Sequence, residues 1–138
     1  MPSKSSSRKK LSPKQQRDLD VQIGFLEGVT RRDPEYLEAL QTLGDLYTRR
    51  GKFDEGLTVD EQLSRLRPAD PVVYYNLACS YSLTRRLDQA AGALCKALEL
   101  GFRDFKALTK DPDLANLRKD ALYAPILARI QRLQRQLG

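Results

Sequence analysis

Two stretches set thirty-four residues apart decide how this chain is read: LQTLGDLY at 40–47 and YYNLACSY at 74–81. Between them Leu43 falls on Leu77, Gly44 on Ala78 and Tyr47 on Tyr81. Working outward, Phe53 falls on Leu87, Gly56 on Ala90, Leu57 on Ala91, Leu63 on Ala97 and Leu66 on Leu100. Pro34, Pro68 and Phe102 stand at the same interval. A match sustained at one offset marks an internal repeat, whose units bury their apolar faces by stacking on one another.

Within each period the apolar residues take the three-and-four spacing of a helix buried on one side. Leu37, Leu40, Leu43, Gly44 and Tyr47 share one face. Gly51 follows Arg49 and Arg50, so a glycine C-cap comes after cations that complement the helix dipole. Phe53, Leu57, Leu63 and Leu66 continue a second helix, which Pro68 stops. The next period opens with Asp70 as N-cap and Pro71 in the first turn. Arg85 occupies the turn slot that Gly51 fills, where a left-handed backbone strains a non-glycine residue by about 1 kcal/mol. Each period is two amphipathic helices joined by a short turn, and the fold class is all-α.

These residues resemble the tetratricopeptide repeat family. The family is marked by a thirty-four-residue helix–turn–helix with an aromatic-x2-Leu-Gly-x2-Tyr stretch in helix A. Leu40 stands where the aromatic is expected in the first unit and Tyr74 in the second, and FDEGL and LDQAA put Gly56 and Ala90 where helices A and B pack closely. The resemblance implies a short right-handed superhelical stack of such repeats with a C-terminal capping helix. It divides the chain into a disordered basic tail at 1–12 and a helical domain at 13–138. That domain holds a degenerate half repeat at 13–34, repeats at 35–68 and 69–102, and a closing segment and capping helix at 103–138. The closing stretch, with Tyr123, Ile126, Ile130, Leu133 and Leu137 at threes and fours, is similar to the one that ends many small bacterial proteins of this family. Asp60 departs from the pattern, standing in a slot that Leu94 fills one period later. It is accommodated either by burial against a Tyr hydroxyl or by a roll of helix B that exposes it.

Composition narrows the function. The 138 residues contain no His, which removes imidazole bases, Ser-His-Asp and Cys-His catalysis and His-ligated metals. Cys79 and Cys95 are too few and too far apart for a disulfide framework or a CxxC site, and such usage fits a reduced, cytoplasmic setting. No apolar run is long enough for a transmembrane helix. The sequence carries no enzyme motif and calls for no cofactor, no metal and no small-molecule substrate. The expected function is a non-catalytic protein–protein interaction module: an adaptor, scaffold or assembly chaperone.

The net charge of +6 sits entirely in the first seventeen residues, which hold Lys4, Arg8, Lys9, Lys10, Lys14 and Arg17 and no acid. The remaining body is neutral. This arm supports an alternative, contact with nucleic acid or an anionic membrane surface, although it lacks the aromatics and recognition helix that usually accompany specific nucleic-acid binding.

In the family that the chain resembles, the A helices line a concave groove that takes a partner's peptide segment or helix. By position, the groove residues are Glu38, Gln41, Asp45, Thr48 and Arg49 from the first repeat and Val72, Tyr75, Asn76, Cys79 and Ser82 from the second. Tyr47, Tyr74 and Tyr81 are expected in the core and Tyr75 at the surface. A carboxylate clamp known in the family is not expected, because Gln41 and Asp45 stand where Lys and Asn are needed. Gly24 and Gly28 form a GxxxG that reads as close helix packing. The terminal apolar seam permits self-association.

Overall fold

The computed structural model describes residues 10–137. Its helices are α1 (Pro13–Arg32), α2 (Leu37–Arg50), α3 (Phe53–Leu66), α4 (Pro71–Leu83), α5 (Leu87–Glu99), α6 (Phe105–Lys110), α7 (Ala115–Arg118) and α8 (Tyr123–Leu137). A 3-10 turn, Pro112–Leu114, separates α6 from α7. No strand occurs among the described residues. Neighbouring helices pack in succession, α1 on α2, α2 on α3, α3 on α4 and α4 on α5. The 3-10 turn and α7 then close over α4, and α8 lies on α5 and α7.

Capping residues set most of the boundaries. Ser12 accepts from the Gln15 amide at 3.1 Å while the Gln15 side chain accepts from the Ser12 amide at 2.8 Å, which starts α1 in a capping box. Asp70 accepts from the amides of Val72 and Val73, and Pro71 takes the first helical position. Gly51 ends α2 at φ 88°, and Arg85 takes the same left-handed turn at φ 61°. Leu11, inside the stretch expected as a tail at 1–12, packs against the core that α1 shares with α2 and α3. Residues 1–9 of that tail lie outside the described residues.

Close approach of α2 and α3 depends on two glycines. A Cβ at Gly44 would stand 3.3 Å from Val59 Cγ1, and one at Gly56 would stand 3.2 Å from Thr48 Oγ1. The corresponding positions one period on are Ala78 and Ala90, both fully buried.

The closing segment keeps the register of the earlier pairs. Helices α2, α4 and α6 begin at Leu37, Pro71 and Phe105, thirty-four residues apart each time. The third member is broken because Pro112 has no amide hydrogen and its ring opposes a continuous helix. Asp111 turns out to an extended backbone there and recaps the chain, accepting from the Asp113 amide at 3.0 Å.

Asp60 is buried, as the first expected route has it, and the hydroxyl of Ser80 meets it. It is 3% exposed and accepts a hydrogen bond from the Ser80 hydroxyl at 2.5 Å. The equivalent slots are filled by Leu26 with Leu46 one period earlier and by Leu94 with Leu114 one period later. One polar pair thus replaces an apolar pair, and each member satisfies the other.

Candidate partner-binding face

The face expected to bind a partner is narrower than the sequence suggested. On α2, Glu38, Gln41 and Arg49 are exposed and Asp45 is half-buried. On α4, Val72 is exposed and Asn76 is half-buried. Thr48, Tyr75, Cys79 and Ser82 are buried and cannot meet a partner.

Their burial has a common cause. Helix α4 lies between α3, α5 and the closing segment, so it is apolar on nearly every side, unlike the one-sided helices around it. Tyr75, expected at the surface, stacks on Phe102 with ring centroids 4.3 Å apart and planes 8° from parallel. Its hydroxyl donates to Asp111 Oδ2 at 2.6 Å. Burial first, then the neighbouring Cys79 and Asp111, push its ionisation well above the ordinary tyrosine range. Ser82 Oγ accepts from the Leu117 amide at 3.2 Å, and its carbonyl accepts from Asn116 Nδ2 at 3.0 Å. Thr48 Oγ1 donates to the Gly44 carbonyl at 3.1 Å, inside the α2–α3 contact.

The other tyrosines act as cross-links between helices. Tyr47 is in the core as expected and donates to Glu27 at 2.5 Å. Tyr81, expected in the core, is only partly buried and donates to Glu61 at 2.9 Å. Both partners of the second bond lie thirty-four residues beyond those of the first. Burial and the adjacent carboxylate raise the ionisation of both phenols, that of Tyr81 to about 12. Tyr74, also expected in the core, is half-buried.

Extending the period by one unit adds residues that the motif comparison missed. Lys106, Thr109 and Lys110 in α6 stand thirty-four residues beyond Val72, Tyr75 and Asn76. Lys106 and Lys110 are exposed. Along equivalent positions the face therefore runs from Glu38 through Val72 to Lys106, acidic at α2 and basic at α6. Asn76 Oδ1 is buried beside this face without a hydrogen-bond partner among the described residues.

Of the basic arm, Lys4, Arg8 and Lys9 lie outside the described residues, whereas Lys10, Lys14 and Arg17 are exposed. Lys14 pairs with Asp18 along α1 at 3.1 Å. Neither Cys79 nor Cys95 forms a disulfide. Among the described residues no group of three His, Cys, Asp or Glu side chains could hold a metal ion, and no helix is long and apolar enough to cross a membrane.

An all-α chain whose helices pack in succession, with turns and cross-links recurring at a fixed interval, has the build of a helical repeat protein. Over 104 residues it is 34% identical to a chloroplastic protein of Arabidopsis thaliana, a match that takes in 73% of this chain and 30% of that protein. The chain thus spans under a third of the length of this relative. No family model matches the sequence.

Proposed function

We propose that the chain is a tetratricopeptide-like stack that works without catalysis, as an adaptor, scaffold or assembly chaperone. It holds a peptide segment or helix of another protein along the face of α2, α4 and α6. The observation that carries this reading is the exposed row Glu38, Gln41, Val72 and Lys106.

The charge along the row selects an orientation. A segment lies with its basic end over Glu38 and Asp45 and its acidic end over Lys106 and Lys110, since like charges brought together disfavour the reverse. Val72 supplies the apolar contact between them. A reduced compartment such as the cytoplasm suits two cysteines that form no disulfide.

Cross-linked capture from the source cell, with identification by mass spectrometry, supplies the partner. Affinity is then measured for Val72→Asp, Asn76→Ala and Asp45→Lys. Val72→Asp is expected to cost about 1–3 kcal/mol of affinity. Asp45→Lys should weaken binding by an amount that added salt reduces. Thr58→Ala with Asp88→Ala, on exposed positions of α3 and α5, should leave affinity unchanged. Loss of binding in that pair alone would remove the α2–α4–α6 face from the account.

A further inference from the structure

We propose that the outer face of α1 is a homodimer interface, in which the α1 helices of two copies lie antiparallel. Helix α1 carries two apolar stripes. The inner one, with Leu19 and Ile23, is buried against α2. The outer one, diametrically opposite at 3.6 residues per turn, runs through Val21, Phe25 and Gly28. Val21 is 73% and Phe25 71% exposed, the two most exposed large apolar side chains among the described residues.

The repeat register shows why this stripe has another occupant than its equivalents. Phe25 stands thirty-four residues before Val59 and sixty-eight before Ala93, which are buried within their helix pairs. The close contact in those pairs is made at Gly56 and Ala90, and here that position is Gln22, which is exposed. With Gln22 in that slot, a helix seated on α1 would stand further off than α2 stands from α3. The small residues lie to one side instead, at Gly24 and Gly28. A Cβ at Gly24 meets nothing within 4 Å, and one at Gly28 meets only the end of Arg31 at 3.8 Å.

Self-complementarity identifies the occupant. With a two-fold axis at Phe25, the two Phe25 rings meet and Val21 of each copy lies over Gly28 of the other. Asp18 of each copy then faces Arg32 of the other, on the same helical stripe. Sliding the pair to set Val21 over Phe25 instead brings Lys14 against Arg32, a like-charge contact that disfavours that register. A single pair of twenty-residue helices makes a small interface, so the dimer is weak.

Sedimentation velocity of the full chain tests this, over about 10 µM to about 500 µM. Wild type is expected to shift from monomer to dimer within that range. Phe25→Asp should weaken the dimer at least about tenfold. Gly28→Leu should do the same while keeping or raising helical content, since leucine favours a helix over glycine. Asp18→Arg should weaken it and Asp18→Arg with Arg32→Asp should restore it, a rescue that general destabilisation does not produce. A monomer at every concentration, or a dimer indifferent to both Phe25→Asp and Gly28→Leu, overturns the proposal. Since α1 shares no residue with the α2–α4–α6 face, the result leaves the partner-binding reading separately testable.

Discussion

Tyr75 donates its hydroxyl to Asp111 across 2.6 Å, joining α4 to the turn that breaks the third helix pair. Asp111 also caps that turn through the Asp113 amide. One carboxylate thus serves both the local geometry and the closure of the core, with Phe102 stacked beneath the Tyr75 ring. This contact turns a residue suited by its chemistry to binding into one that holds the fold together.

Tyr75→Ala is expected to destabilise the chain by about 3–5 kcal/mol, the range for emptying a buried aromatic site. Tyr75→Phe keeps the stack and loses only the hydroxyl, for about 1–2 kcal/mol. Urea denaturation checks both. Little loss in Tyr75→Ala would mean that the ring is not buried between α4 and Phe102.

The Tyr47–Glu27 and Tyr81–Glu61 bonds occupy the same place in successive helix pairs. Tyr47→Phe and Tyr81→Phe should each cost about 0.5–2 kcal/mol, with Tyr47 the larger because it is more buried. Combining Tyr47→Phe with Glu27→Gln should be non-additive. Combining the two Tyr→Phe changes should be additive, since the pairs share no partner. Double-mutant cycles decide it.

Arg85 holds a left-handed backbone at φ 61° where Gly51 holds one at φ 88°. Arg85→Gly relieves about 1 kcal/mol of strain, part of which the freer unfolded chain offsets, leaving a net gain of roughly 0.5 kcal/mol. Chemical denaturation of the variant measures the sign. A less stable variant would show that Arg85 contributes more through its contacts than its backbone loses.

Tyr47, Tyr75, Tyr81 and Tyr123 all ionise above the ordinary tyrosine value near 10, burial being the leading cause for each. A phenol raised in the folded state releases its proton more readily once unfolded. Their contribution to stability is complete below pH 10 and declines as the pH rises through about 12, the value for Tyr81. Urea midpoints between pH 8 and 12 should therefore fall steeply above 10, while the tyrosinate absorbance rises on unfolding. A midpoint flat to pH 12 contradicts the burial of these rings.

The helices α2 to α5 were legible because their period is carried by many apolar residues and by local turn chemistry at Gly51, Asp70 and Pro71. Even the strain at Arg85 could be read, since one repeat supplies the template for the next. The candidate face was less legible. Motif position places Tyr75, Cys79 and Ser82 on one side of α4, but whether that side meets water depends on how the segment beyond Gly101 packs. The broken third unit hides its relation to the first two, because Pro112 stands where Gly44 and Ala78 set the pattern. Pairs such as Asp60 with Ser80 look like isolated misfits until their twenty-residue spacing is set beside Tyr47–Glu27 and Tyr81–Glu61.

The central claim is that another protein lies along α2, α4 and α6, and a photo-activated cross-linking residue at Val72 tests it most directly. Val72 is 39% exposed at the start of α4, so the probe can be introduced without disturbing the core. Irradiated in the source cell, the Val72 probe should give one discrete adduct with another protein, lost when Gln41 and Asn76 are both changed to Ala. The same probe at Thr58 or Asp88 should give none. Adducts from Thr58 or Asp88 with none from Val72 would contradict the account.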